Sequence, residues 1–164
     1  MHTLLFVNPL EFKEHMHAIV SDLSSKHNNP CYISFNDPYH IIIKMLENAN
    51  VSNEKFIVID ASGSITEKQV LSDRTYVLPI NDLFNVYLFL KNLIIDEKVD
   101  TILLDSLSAL IVKHNHLPLK QMMTNLLLEV GALRCSSSIV VFKDHATHEV
   151  VEHLDPLIGN RINL

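Results

Sequence analysis

The stretch from Asp100 to Leu110, DTILLDSLSAL, decides the fold. Thr101, Ile102, Leu103 and Leu104 run without polar alternation, the pattern of a short strand covered on both faces. Asp105 stands at the carboxyl end of that strand, and Ser106 and Ser108 follow in the turn that leaves it. In an open parallel sheet, ligands bind in the crevice outside the carboxyl ends of the strands. Asp105 and Ser106 therefore have two readings: ligand residues, or caps that hold the next segment by side-chain to backbone hydrogen bonds.

Outward from this centre, strand and helix signals alternate, the mark of a layered α/β domain. Thr3 to Val7 reads as the first strand. Asn8 is placed to cap a helix, with Pro9 at its first position and Glu11 three residues past the cap as in a capping box. Phe12, Met16, Ile19, Val20 and Leu23 then recur at helical spacing to about Ser25. Cys31 to Phe35 is a second strand. Asp37 and Pro38 repeat the cap-and-proline start for a helix carrying Ile41, Ile42, Met45 and Leu46. Phe56 to Ile59 is a third strand, with Asp60 at its end and a loop over Ala61 to Ser64. Ile65 to Leu71 reads as helical and Tyr76 to Leu78 as a short strand. Asn81 or Asp82 caps a helix from Leu83 to about Asp96.

Beyond Asp105 the segment to His116 fits no single pattern. Pro118 opens a long helix to Leu133 with Met122, Leu126 and Val130 inward. Ser138 to Phe142 is a further buried strand with Lys143, Asp144 and His145 at its carboxyl end. A helix over His148 to Leu157 and a strand over Asn160 to Leu164 close the chain.

At 164 residues, 48% hydrophobic and 20% charged, the chain is expected to form one globular domain over residues 1–164. No apolar run is long enough for a membrane span, and the first residues read as a strand and not as a secretion signal. A net charge of -6 argues against a surface built to neutralise phosphates, so nucleic acid is not an expected partner. Cys31 and Cys135 lack CxxC spacing and fit buried, reduced thiols in the cytoplasm.

The ten histidines suggest a metal, above all His114 and His116, and the group of Asp144, His145, His148 and His153. None of their spacings matches a zinc signature, and no metal site is expected. His15 and His17 fall on opposite sides of their helix. Ser106 lacks the glycines of a nucleophile elbow, and Ser62 and Ser64 around Gly63 fit a turn, so no catalytic residue is assigned. Leu83 to Ile95 is apolar around more than one face, which implies burial on two sides or an exposed patch for self-association.

Taken together, this order of parts, the segment ILLDSLSAL and the closing segment HEVVEHLDPLIGNRINL are similar to the RecA-like ATPase core, and resemble in particular its KaiC-like group of bacteria and archaea. The resemblance implies a three-layer sandwich around a mainly parallel sheet, with ILLD as the Walker B segment and Asp105 as the acid that organises magnesium. It also implies a phosphate loop, GxxxxGK[ST], after the first strand. The chain there reads NPLEFKEHM, without glycine, although backbone amides can wrap a phosphate only where Cβ atoms do not obstruct them. Lys13 is the one candidate for the phosphate lysine, and no Ser or Thr follows it. Glu11 and Glu14 meet the helix end that would attract phosphate.

The group's second strand ends in acidic residues that activate water, and SFNDP stands here, with Asn36 in place of one acid and Asp37 keeping another. The resemblance thus marks a degenerate nucleotide site at Asn8, Lys13, Asn36, Asp37, Asp105, Ser106, Lys143 and Asp144. The expected function is a non-catalytic regulatory or scaffold module with no cofactor. It would contact a second copy of itself or another protein, such as an active RecA/KaiC-like ATPase. The alternative is an ATP- or nucleotide-binding protein, or an ATPase, that takes Mg-ATP at an atypical phosphate site around Asp105.

Overall fold

A computed structural model describes residues 1–63 and 65–164. Strands β1 (His2–Val7), β2 (Pro30–Ser34), β3 (Ile57–Asp60), β4 (Gln69–Ser72), β5 (Thr75–Val77), β6 (Thr101–Asp105), β7 (Ser136–Phe142) and β8 (Asn160–Asn163) form one sheet. Their order across it is β4-β5-β3-β2-β6-β7-β1-β8. All pairings are parallel except β4 with β5. The segment quoted first thus supplies a central strand, with β2 on one side and β7 on the other.

Helices α1 (Phe12–Lys26) and α2 (Tyr39–Asn48) cover one face of the sheet. The other face carries α3 (Leu83–Asp96), α4 (Leu107–Lys113), α5 (His116–Ala132) and α6 (Glu149–Leu154). Successive strand residues feed opposite layers, as the two-residue period requires. Leu5, Val7 and Leu103 pack with Met16, Val20, Ile42 and Leu46, while Leu4, Phe6, Ile102 and Leu104 join Leu90, Leu110, Met123 and Leu126. Asp105 lies two residues past Leu103 on its strand and so faces the α1/α2 layer.

Helix stops share one device. Asn50, Lys98 and Arg134 each stand two residues past the end of α2, α3 or α5 with φ of 56°, 53° and 56°. The next residue then bonds back into the last turn: Val51 N to Leu46 O, Val99 N to Ile94 O and Cys135 N to Val130 O. This is the Schellman closure, made here without glycine.

Several expectations are corrected. Residues over Ile65 to Leu71 form no helix: Gln69–Ser72 is a strand paired with Thr75–Val77 in a hairpin, where Val70 and Tyr76 sit opposite each other. With Val70 and Leu71 side by side, the segment is too short to separate the two periods. Asp37 does not cap α2. Pro38 occupies the cap position, and Asp60 Oδ2 accepts from Tyr39 N at 2.8 Å from the end of β3. Glu11 closes no capping box: its carboxylate lies 3.6 Å from His15 Nε2, and α1 starts without a side-chain cap bond. The closing helix is shorter than expected, six residues followed by a 3-10 turn over Asp155–Leu157. Ser64 lies outside the described residues.

Candidate functional site

Asp105 ends β6 and is fully buried. Its Oδ2 accepts a 2.6 Å hydrogen bond from the hydroxyl of Tyr32, which is itself 2% exposed on the adjacent strand β2. Its Oδ1 is buried without a hydrogen-bond partner among the described residues. Burial raises the carboxyl, the Tyr32 bond pulls it partly back and the negative charge of Asp37 pushes it up again, which together bring it to about 7. The same burial, reinforced by Asp105, drives the Tyr32 hydroxyl well above its ordinary range, so it stays a proton donor. Main-chain bonds fix the strand end, with Asp105 O accepting from Phe35 N.

Ser106 is also fully buried, and the peptide bond leading into it is cis. Its hydroxyl accepts from Ala109 N at 3.1 Å, which makes it the cap of α4. Ser108 Oγ accepts from Phe142 N at 2.8 Å and ties α4 to the end of β7. Of the two readings open for Ser106, the capping one describes its bond in the fold.

Between α1 and α2 lies a cavity of about 260 Å³ whose lining includes Lys13, His17, Tyr32, Asp37 and Lys44. Tyr32 is its floor toward Asp105, which does not reach the lining. Lys13 and Asp37 are therefore brought together, whereas Asn8, Asn36, Ser106, Lys143 and Asp144 are not among the lining residues. Asn8 sits in the turn after β1, where its Oδ1 accepts from Leu10 N at 3.1 Å and its carbonyl accepts from Glu11 N at 3.0 Å. Asn36 and Asp37 donate their backbone N–H groups to Ser34 Oγ. Lys143 and Asp144 are exposed on a 3-10 turn that follows β7.

Three residues at this end of the sheet escaped the sequence reading. Tyr32 looked like one more strand residue; its signal was a hydroxyl on the face that, once β2 and β6 are in register, also carries Asp105. Asp60 holds the start of α2 and, through Oδ1, both Ser62 N and Ser62 Oγ. Lys113 Nζ donates to Phe35 O at 2.8 Å and to Ser62 O at 3.3 Å, joining the ends of β2 and β3 to the end of α4. Asp60 is visible in the sequence at the end of its strand but not as the cap of α2, and nothing local points to Lys113.

The histidines divide. His148 meets both His116 and His145, with ring centroids 4.6 Å apart for His116 and His148 and 6.0 Å for His145 and His148. His153 instead contacts Thr124, and His114 lies in a separate cleft beside Asn115 and Tyr87. Among the described residues, no group of three or more His, Cys, Asp or Glu side chains is arranged to hold a metal ion. Cys31 and Cys135 are both buried free thiols, and burial pushes the Cys31 thiol up and that of Cys135 to about 12. No described helix is long and apolar enough to cross a membrane.

Comparison with known proteins supports the architecture. No family model and no curated protein matches the chain. Among solved structures, it is similar to a KaiC-like protein from the hyperthermophilic archaeon Pyrococcus horikoshii OT3, with a TM-score of 0.73 over 99% of this chain and 71% of that one, at 10% sequence identity. At that identity the likeness speaks for the fold alone. The chain has a KaiC-like α/β fold.

Proposed function

We propose that this chain is a non-catalytic regulatory or scaffold module on a RecA/KaiC-like core, working in the cytoplasm through contacts with a second copy or with another protein, such as an active relative. The observation that carries the reading is the seal over Asp105. An acid that organises magnesium must reach the ion or its water shell, and magnesium draws most of its remaining ligands from water and phosphate. Asp105 has no exposed surface, one oxygen is held by Tyr32, and with its pKa raised to about 7 a proton competes with any cation for it near neutral pH. The turn after β1 adds support, because Glu11 N is already bonded to Asn8 O, and acids at positions 11 and 14 oppose a triphosphate.

The contact surface best suited to this role is the outer stripe of α3. Phe84, Leu88 and Ile95, spaced four and seven positions apart, share one side of the helix and are 62%, 37% and 47% exposed. Sedimentation across a range of concentrations tests it, and the Phe84→Asp/Ile95→Asp double variant is expected to shift the chain toward monomer while keeping its melting temperature. A chain that stays monomeric at high concentration, and whose stripe is not protected from hydrogen exchange by any RecA/KaiC-like partner, defeats the reading.

A second reading rests on the cavity between α1 and α2, where Lys13 and Lys44 offer positive charge over Tyr32. Binding of Mg-ATP there must raise the melting temperature by mass action. Such a rise, removed by Lys13→Ala, favours a nucleotide-binding protein; no rise at millimolar nucleotide favours the scaffold.

A further inference from the structure

The start of α6 is held by an unusual cap. His148 is the cap residue, in extended conformation, and its ring Nδ1 accepts from Val150 N at 3.2 Å. Caps are ordinarily supplied by Ser, Thr, Asp or Asn, whose oxygens accept at any pH near neutrality. An imidazole nitrogen accepts only while it carries a lone pair, so this cap exists only on the neutral ring.

The surroundings concentrate positive charge on that ring. From α5 come His116, whose ring meets His148 edge to face, and Lys120; from the turn after β7 comes His145, whose Nδ1 is buried without a partner among the described residues. Lys143 and Asp144 are exposed on the same turn. The facing acid is Glu149, and it is already engaged by His116 Nδ1 at 2.5 Å and Lys120 Nζ at 2.6 Å. The His148 carbonyl accepts from Glu152 N and its own N–H bonds His145 O, so the residue fixes both the helix and the turn before it. Burial, His116 and His145 hold the His148 ring below its ordinary range, while Glu149 opposes them.

We propose that the His116, His145 and His148 trio is a proton-sensitive latch, in which the neutral His148 ring caps the start of α6 and its protonation opens that first turn, while Glu149 keeps its hold on α5. Protonation removes the acceptor for Val150 N, and a charged ring beside two other imidazoles and Lys120 is repelled from its seat. Because the buried residues Val150, Val151 and Leu154 keep α6 on the core, the release is local to its first turn.

Hydrogen exchange and imidazole chemical shifts by NMR from pH 7.5 to 5 test this on the intact chain. Once corrected for the intrinsic rate, protection of the Val150 amide is expected to fall by roughly fivefold, the size of a lost helix cap, with a midpoint that matches the His148 titration and lies below that of a free histidine. His148→Asn keeps an oxygen acceptor and should hold protection constant over the range. His116→Gln should move the midpoint upward. Constant protection in the unmodified chain, or an undiminished step in His148→Asn, overturns the latch.

Discussion

Two carboxylates in this molecule behave in opposite ways, and the contrast is instructive. Asp105 sits at the heart of the sheet, touches one hydroxyl, and has its pKa pushed up to about 7 by burial. Glu149 lies on the surface between His116 and Lys120, and those two partners pull it down to about 2. An exposed acid hydrogen-bonded by a lysine and an imidazole stays charged and does little work for the fold. An acid without a cation in the interior becomes a proton store coupled to folding. The residue that resembles a magnesium acid is thus the one whose surroundings least suit a charge.

The largest effect should come from removing the buried acid's titration. The folded state binds the Asp105 proton more tightly than the unfolded chain, whose carboxyl has the ordinary value of 3.8. Its contribution to stability is therefore complete below about pH 4 and is lost as pH rises through about 7, a change on the order of 4 kcal/mol. Asp105→Asn should flatten that part of the profile, measured as the difference in urea midpoints between the two proteins at pH 4.5, 6 and 8. Parallel profiles would mean that Asp105 does not titrate in the folded state.

Next in size is Tyr32→Phe, which leaves both Asp105 oxygens unpaired. The loss should be about 1–3 kcal/mol, the cost of a buried acceptor without a donor. It should be greater at pH 8 than at pH 5, since the hydroxyl bond favours the charged carboxylate. Asn8→Ala should cost less, about 1 kcal/mol or below, because the cap it removes from the turn after β1 is exposed. Smallest is Glu149→Gln. The melt near neutral pH should barely move, but the His148 titration seen by NMR should shift downward, because Glu149 is the group that raises it.

The same contrast explains how much of the molecule could be read beforehand. Strands β1, β6 and β7 and helices α3 and α5 announce themselves through local periodicity, since apolar runs and spaced apolar faces survive in the linear order. For Ser106, capping was one of two readings its position offered. Contacts made across the fold were not. The cap of α2 comes from Asp60, twenty-one residues from Tyr39, while Asp37 looked right by position alone. Tyr32 meets Asp105 only after β2 and β6 pair, and His116 meets His148 only after α5 folds back on α6. The hairpin of β4 and β5 failed for another reason, because a short segment with Val70 and Leu71 side by side carries both periods. The fold thus lay largely in the local pattern, and the candidate site largely in the register.

The three left-handed helix stops have one more consequence. Lys98 and Arg134 hold a conformation that costs an ordinary side chain roughly 1 kcal/mol relative to glycine. Both lie where a helix hands the chain to the amino end of a strand, β6 or β7, at the end of the sheet opposite Asp105. The molecule therefore keeps a reserve that Lys98→Gly and Arg134→Gly would draw on, hardening the scaffold from its far side while leaving the sealed acid and the histidine trio untouched.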